Sequence, residues 1–327
     1  MTSAVELGQP SLASLESVAA LVYESMPPTP QYRWPLLDSR VGTTVWVKHE
    51  NHTPTGAFKV RGGLVYFDDL VRSGKPAGVV TATRGNHGQS IGFAARRYGI
   101  PATIVVPHGN SVEKNAAMRA LGVELIELGR DFQAATEAAA EIAAERGWHR
   151  LPSFHPLLVC GVGTYALELL RAVPDLHTVY VPVGMGSGLC GVIAARDALE
   201  LDTHIVGVVS AGAPAFALSY REDRVISHEV TTTIADGMAC RTPAREALDI
   251  ARRGSVRIIE VTDQEVEAAM RALFADTHNV AEGGGAAALA ALLQEREAMR
   301  GRKVAIILSG GNVDSDVYSR VLTSPRA

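Results

Sequence analysis

Short apolar runs alternate with longer stretches of helical periodicity along most of the chain. That alternation limits the possible folds more than any single motif does. Strands that read as continuous apolar runs are buried on both faces, and such strands occur in parallel sheets covered by helices. β-branched and aliphatic runs predict strands at 44–48, 78–82, 103–106, 124–128, 179–183, 205–209 and 304–308. Apolar spacing predicts helices at 12–24, 58–72, 87–98, 112–121, 132–146, 189–199, 263–275 and 286–299. Gly99 closes one of these as a C-terminal cap. The expected fold class is α/β with mostly parallel sheets. Residues 176–195 are uncharged and long enough to imitate a membrane span. Pro182 and the glycines that follow it break helices, so strand–loop–helix is the expected form.

Composition narrows the function. Hydrophobic residues make up 47% and charged residues 20%, which excludes wholesale disorder. Lys and Arg number 31 against 35 Asp and Glu, so the chain has no electrostatic footprint for nucleic acid or an anionic membrane. Cys160, Cys190 and Cys240 are too few and too scattered for a disulfide framework or a zinc ligand set. The first residues lack a cationic start followed by an apolar block, so no signal peptide and a cytoplasmic location are expected.

In parallel α/β folds ligands bind at loops beyond the carboxyl ends of strands. Four such loops stand out. The first, Thr53-Pro54-Thr55-Gly56-Ala57-Phe58-Lys59-Val60-Arg61-Gly62-Gly63, places a lysine at the start of a helix. The positive end of a helix disfavours an ammonium, which would suit a nucleophilic amine. A solvated surface lysine is the alternative. The second, Thr83-Arg84-Gly85-Asn86-His87, opens another helix, where free backbone N–H groups attract anions. On position alone Asn86 could equally be a simple N-cap. The third, Gly184-Met185-Gly186-Ser187-Gly188, has the form of a phosphate cradle. It lacks the Lys-Ser/Thr of a Walker loop, and Leu189 stands where a dinucleotide fingerprint has its third glycine. The fourth, Ser309-Gly310-Gly311-Asn312, follows the last strand and suggests close ligand approach, or an ordinary turn.

Taken together and in this order, the four loops resemble the pyridoxal-phosphate enzymes of fold type II, and within them the threonine/serine dehydratase (ammonia-lyase) family. The stretches 160–168, 231–237 and 281–285 are similar to that family as well. The resemblance implies a tryptophan-synthase-β-like architecture of two three-layer α/β domains. It implies that Lys59 carries the cofactor and later moves the α-proton. It also implies that Gly184, Met185, Gly186, Ser187 and Gly188 hold the phosphate, Asn86 the ring hydroxyl and Ser309 the ring nitrogen, with Phe58 and Glu282 beside them. Thr83, Arg84, Gly85, Asn86 and His87 would receive the substrate. A neutral hydroxyl opposite the ring nitrogen makes a moderate electron sink, which suits elimination better than transamination.

The implied activity is dehydration and deamination of a β-hydroxy amino acid, such as threonine or serine, to a 2-oxo acid and ammonia. Other 3-hydroxy amino acids, β-replacement or threonine-synthase chemistry, and an idle binding or regulatory protein on the same fold are the alternatives. The racemase branch has a serine where this chain has Arg84; a guanidinium is a poor base, so racemisation is disfavoured. Two readings of Arg84 stay open: a structural or solvated charge, or a recogniser of an acidic substrate side chain. Many relatives begin a cation site with a Glu where this chain runs Ser210-Ala211-Gly212-Ala213-Pro214, so no metal is expected. The loop order suggests a small domain, 69–154, inserted in a large one formed by 1–68 and 155–327. Only 15 residues follow Asn312, so no C-terminal regulatory domain and an unregulated catabolic enzyme are expected. Fold relatives are commonly dimers or tetramers, so a homo-oligomer is expected.

Overall fold

The computed structural model describes residues 10–324. Ten strands are present among them: β1 (Gln31–Arg33), β2 (Thr44–His49), β3 (Val79–Ala82), β4 (Ala102–Val106), β5 (Glu124–Glu127), β6 (His149–Arg150), β7 (Thr178–Pro182), β8 (His204–Ser210), β9 (Arg257–Val261) and β10 (Lys303–Leu308). They form a six-stranded sheet, β1-β2-β10-β7-β8-β9, and a four-stranded sheet, β5-β4-β3-β6. Every pairing is parallel except β1 with β2, which is antiparallel.

Burial follows position in the sheet. Val304, Ile306, Ile307 and Leu308 of β10 are fully enclosed, each contributing at most about 1.5–3 kcal/mol over an exposed side chain. Edge strands are more polar: β5 exposes Glu124 and Glu127, and β9 exposes Arg257 and Glu260. Charges of this kind protect open edges from pairing with other chains. The helices Pro156–Ala172 and Ser187–Ala198 cover one face of the larger sheet, and Asp263–Thr277 and Gly283–Gln294 cover the other. The smaller sheet has its own core, which also takes in Tyr66 and Phe67 from the helix Val60–Arg72 and Leu158 from Pro156–Ala172. Residue 69, the expected boundary, falls inside the helix Val60–Arg72.

The helix Val60–Arg72 matters most for the site because Lys59 is its N-cap. It lies backbone to backbone against Pro156–Ala172. A Cβ on Gly161 would stand 2.5 Å from the Arg61 carbonyl, and one on Gly62 would stand 2.8 Å from that of Leu158. The same helix carries a fully buried arginine. Arg61 donates from Nε to Glu50 Oε2 (2.7 Å) and from Nη1 to Glu168 Oε1 (2.6 Å), and Lys48 Nζ donates to Glu168 Oε2 (2.5 Å). Burial pushes the Glu168 carboxyl up, but the Arg61 guanidinium and Lys48 ammonium outweigh it and hold it below the usual carboxylate range.

The uncharged stretch 176–195 is β7, a glycine loop and the start of the helix Ser187–Ala198, as expected. No helix among the described residues is long and apolar enough to cross a membrane. The C-terminal cap at Gly99 is left-handed, with φ +59°. One expected helix, 286–299, instead spans Gly283–Gln294. Elements without a sequence-based expectation include the helices Pro35–Val41, Pro156–Ala172, Ala215–Glu222, Arg245–Arg253 and Ser315–Thr323, and the strands β1, β6 and β9.

Candidate active site

β2, β10 and β7 are neighbours in the larger sheet although they lie far apart in the chain. The loops beyond their carboxyl ends are the lysine loop, the 309–312 loop and the glycine loop. The loop after β3 of the smaller sheet, 83–85, faces them. All four loops expected to bind a ligand therefore meet at one cleft, lined among others by Lys59, Asn86, Gly184, Gly186, Glu282 and Ser309.

Lys59 is held from both sides. Its carbonyl accepts from Ser90 Oγ (2.6 Å), and its Nζ lies 4.8 Å from the centre of the Phe58 ring. Phe58 meets Tyr165 edge to face, and Tyr165 Oη donates to the Gly188 carbonyl (3.1 Å), so the lysine and glycine loops are packed together. Enclosure brings the Lys59 amine down to about 8, against the pull of the Glu282 carboxylate. It makes no hydrogen bond to the protein among the described residues. It is not a solvated surface lysine.

The glycine loop ends in Gly186, whose φ of +101° is left-handed and whose absent Cβ would lie 2.8 Å from Ala247 Cβ. The helix that follows has no side-chain cap, so its first N–H groups are available to an anion. Ser309 Oγ is only weakly committed, with a 3.5 Å contact to the Gly284 carbonyl. The Ser309 carbonyl accepts from Phe58 N (3.0 Å), tying the fourth loop to the first.

Asn86 does not cap its helix. Gly85 is the N-cap, and Thr83 Oγ1 accepts from the N–H groups of Gly85 (2.9 Å) and Gly88 (3.2 Å). The Asn86 amide is fixed instead by two partners. Its Nδ2 donates to Glu282 Oε1 (2.5 Å), and its Oδ1 accepts from Asn312 Nδ2 (2.9 Å). One N–H of Asn86 remains free to point at a ligand. Glu282 is buried and also accepts from Lys114 Nζ (3.2 Å), which donates to Asp236 Oδ2 (2.7 Å). Burial and the Asp236 charge push the Glu282 carboxyl up; Lys114 opposes them. His87 is buried with no partner on Nε2, and burial together with Lys59 lowers it to about 3, so the ring facing the site is neutral.

Beside this cleft lies a second pocket, bounded by Lys59, Thr83 to His87, Lys114 and Cys240. It shares Arg84, Phe132, Met185 and Cys240 with a neighbouring outer cavity of about 850 Å³. Lys114 carried no sequence signal; Asp236 falls in the 231–237 stretch similar to the family, and Cys240 was expected only as a scattered cysteine. Lys114 sits on an ordinary-looking helix, and its partners are more than a hundred residues away.

Residues 22–310 match the family model described as pyridoxal-phosphate dependent enzyme. The L-threonine ammonia-lyase of Geobacter sulfurreducens is 35% identical over 284 residues, covering 86% of this chain and 71% of that protein. Among solved structures, a threonine deaminase from T.th. superposes with a TM-score of 0.86 at 32% identity, covering 93% of this chain and 99% of that one. Maize serine racemase superposes with a TM-score of 0.89 at 28% identity, covering 95% and 96%.

Proposed function

The chain belongs to the pyridoxal-phosphate-dependent enzyme family and is a carbon–nitrogen lyase; from that premise we propose that it converts a β-hydroxy amino acid to a 2-oxo acid and ammonia, with Lys59 moving the α-proton. The observation that carries this reading is the Lys59 amine, lowered to about 8 and without a hydrogen-bond partner, set between the glycine cradle and the asparagine loop.

The residues present fit the cofactor. A small, uncapped helix start matches a phosphate, and a side chain at Gly184 would strike the Gly237 carbonyl at 2.8 Å. The free N–H of Asn86 and the loosely held Ser309 hydroxyl match a ring oxygen and a ring nitrogen. When bound, pyridoxal phosphate supplies an electrophilic carbonyl carbon and a ring that draws electrons from the substrate's α-carbon. Gly184, Gly186, Ser187 and Gly188 would hold its phosphate, Asn86 and Ser309 its ring, and Lys59 its carbonyl carbon.

The rest of the work falls to the chain. Lys59 Nζ is neutral in a useful fraction near physiological pH and takes the proton from Cα. The neutral His87 and the Thr83 hydroxyl, whose oxygen is already engaged by two backbone amides, donate to the substrate carboxylate at the start of the helix Asn86–Tyr98. The Arg84 guanidinium stands where the racemase branch has its hydroxyl base and is itself a poor base, so elimination is favoured over racemisation. A cytoplasmic homo-oligomer belongs to the same reading, and light scattering measures its size. The decisive test is Lys59→Ala. It should lose both 2-oxo acid release from threonine and serine and the visible absorbance of the bound cofactor; undiminished turnover would refute the assignment.

A further inference from the structure

Arg84 is the charge in the site that nothing in the protein explains. Its Nε is buried and has no hydrogen-bond partner. No carboxylate lies within salt-bridge distance of its guanidinium among the described residues. Arg150, which also lines the outer cavity, has no ion pair among the described residues either but is exposed to solvent, and two other cations nearby are paired. Lys114 is paired with Asp236 (2.7 Å) and Glu282 (3.2 Å), and the outer Arg241 is paired with Asp131 (3.3 Å). Arg84 borders both the inner pocket that contains Lys59 and the outer cavity of about 850 Å³, so it stands where a substrate's side chain leaves the reacting carbons.

A buried donor left unmet is costly, and a guanidinium is met best by a planar, two-oxygen anion. The substrate's α-carboxylate already has a receptor in the helix start at Asn86, with Thr83 and His87. That leaves room for a second anion. We propose that Arg84 receives a carboxylate on the far side of the β-carbon, and that the enzyme's preferred substrate is a β-hydroxy amino dicarboxylic acid. This inference rests on the elimination reading above. The reaction balances as in that reading: Cα–H and Cβ–O break, a C=C bond forms, the water lost at Cβ is matched by water taken up in hydrolysis, and ammonia leaves a 2-oxo diacid.

The test uses the holoenzyme and isosteric pairs that differ only in charge. Turnover is compared for threo-3-hydroxyaspartate and threo-3-hydroxyasparagine in wild type, Arg84→Gln and Arg84→Lys. Wild type should favour the acid in kcat/KM by ~10- to 100-fold, mainly through KM, and Arg84→Gln should erase that ratio while Arg84→Lys keeps part of it. A ratio near one in wild type, or one unchanged in Arg84→Gln, overturns the proposal; the second result would mean that Arg84 serves the α-carboxylate or the cofactor. L-aspartate and L-asparagine, which carry no β-hydroxyl, are titrated in parallel against the cofactor's absorbance. Tighter aspartate binding, lost in Arg84→Gln, supports the recognition, and equal binding in wild type overturns it. If this preference appears but no 2-oxo acid forms from any hydroxy amino acid, the elimination reading fails and the Arg84 assignment stands.

Discussion

Replacing Arg61 with methionine tests how the buried charge cluster supports the lysine helix. The five N–H groups of Arg61 make six hydrogen-bond contacts, one of them shared, with Glu50, Glu168, Thr29 and Thr164, and its side chain is fully enclosed. With Lys48 it balances the two carboxylates. Arg61→Met keeps most of the volume but leaves Glu50 and Glu168 with Lys48 alone, one buried negative charge uncompensated. Breaking a buried pair in this way costs about 3–5 kcal/mol. At roughly 2–4 °C per kcal/mol for large domains, Tm should fall by ~6–20 °C. The pH dependence supplies a sharper check. In wild type the Glu168 pKa is depressed, so its contribution is fully present well above the carboxylate range. In the variant the remaining carboxyl is buried without its guanidinium, its folded pKa rises above the unfolded value, and stability is lost as pH rises. The deficit relative to wild type, read by urea unfolding at matched pH, should therefore be larger at about pH 8 than at about pH 5. A deficit below about 1 kcal/mol at the higher pH, or one that does not change with pH, would refute the account.

Three further outcomes follow from the site. With the cofactor removed, acylation of the Lys59 amine should show a midpoint near pH 8, where Lys59→Met has no corresponding modification. Because the folded pKa lies below the unfolded one, the cofactor-free protein should also gain stability from this group as pH rises from about 8 towards 10.5, a gain absent in Lys59→Met. Asn312→Ala leaves Asn86 Oδ1 without its donor and should weaken cofactor retention about tenfold, measured by equilibrium dialysis; unaltered retention would show that Glu282 alone orients the amide.

The four loops of the cleft were legible because each follows a strand end and carries glycine. Where the structure departs from the expectation, the physical causes differ. The helix expected at 286–299 begins earlier, at Gly283, on three glycines, which propensity disfavours. The structure needs them there: a Cβ on Gly283 would lie 2.1 Å from the Ile234 carbonyl, and one on Gly285 would lie 2.2 Å from that of Gly310. Close contact with distant backbone overrode local preference. The charge cluster was hidden for a related reason. Lys48, Glu50 and Arg61 lie far from Glu168 in the sequence with nothing to pair them, and the approach of Pro156–Ala172 to Val60–Arg72 brings them together under cover. The role of Asn86 needed the structure too, since an asparagine at a helix start looks the same whether it caps or faces a partner.

The order of strands in the larger sheet bears on how the enzyme comes into being. β10 lies between β2 and β7 but is made after both. Until it arrives, β2 and β7 have no bond to each other, and each presents an open edge. A nascent chain emerging from the ribosome can finish the smaller sheet early, because its strands fall between residues 79 and 150. It cannot close the larger one, or bring the lysine loop beside the glycine loop, before residue 308 is free to insert. Such long-range pairing is slow and leaves sticky intermediates. The competence to capture the cofactor thus arrives in a single late event, and a chain stalled or clipped before β10 is an aggregation hazard with no partial activity.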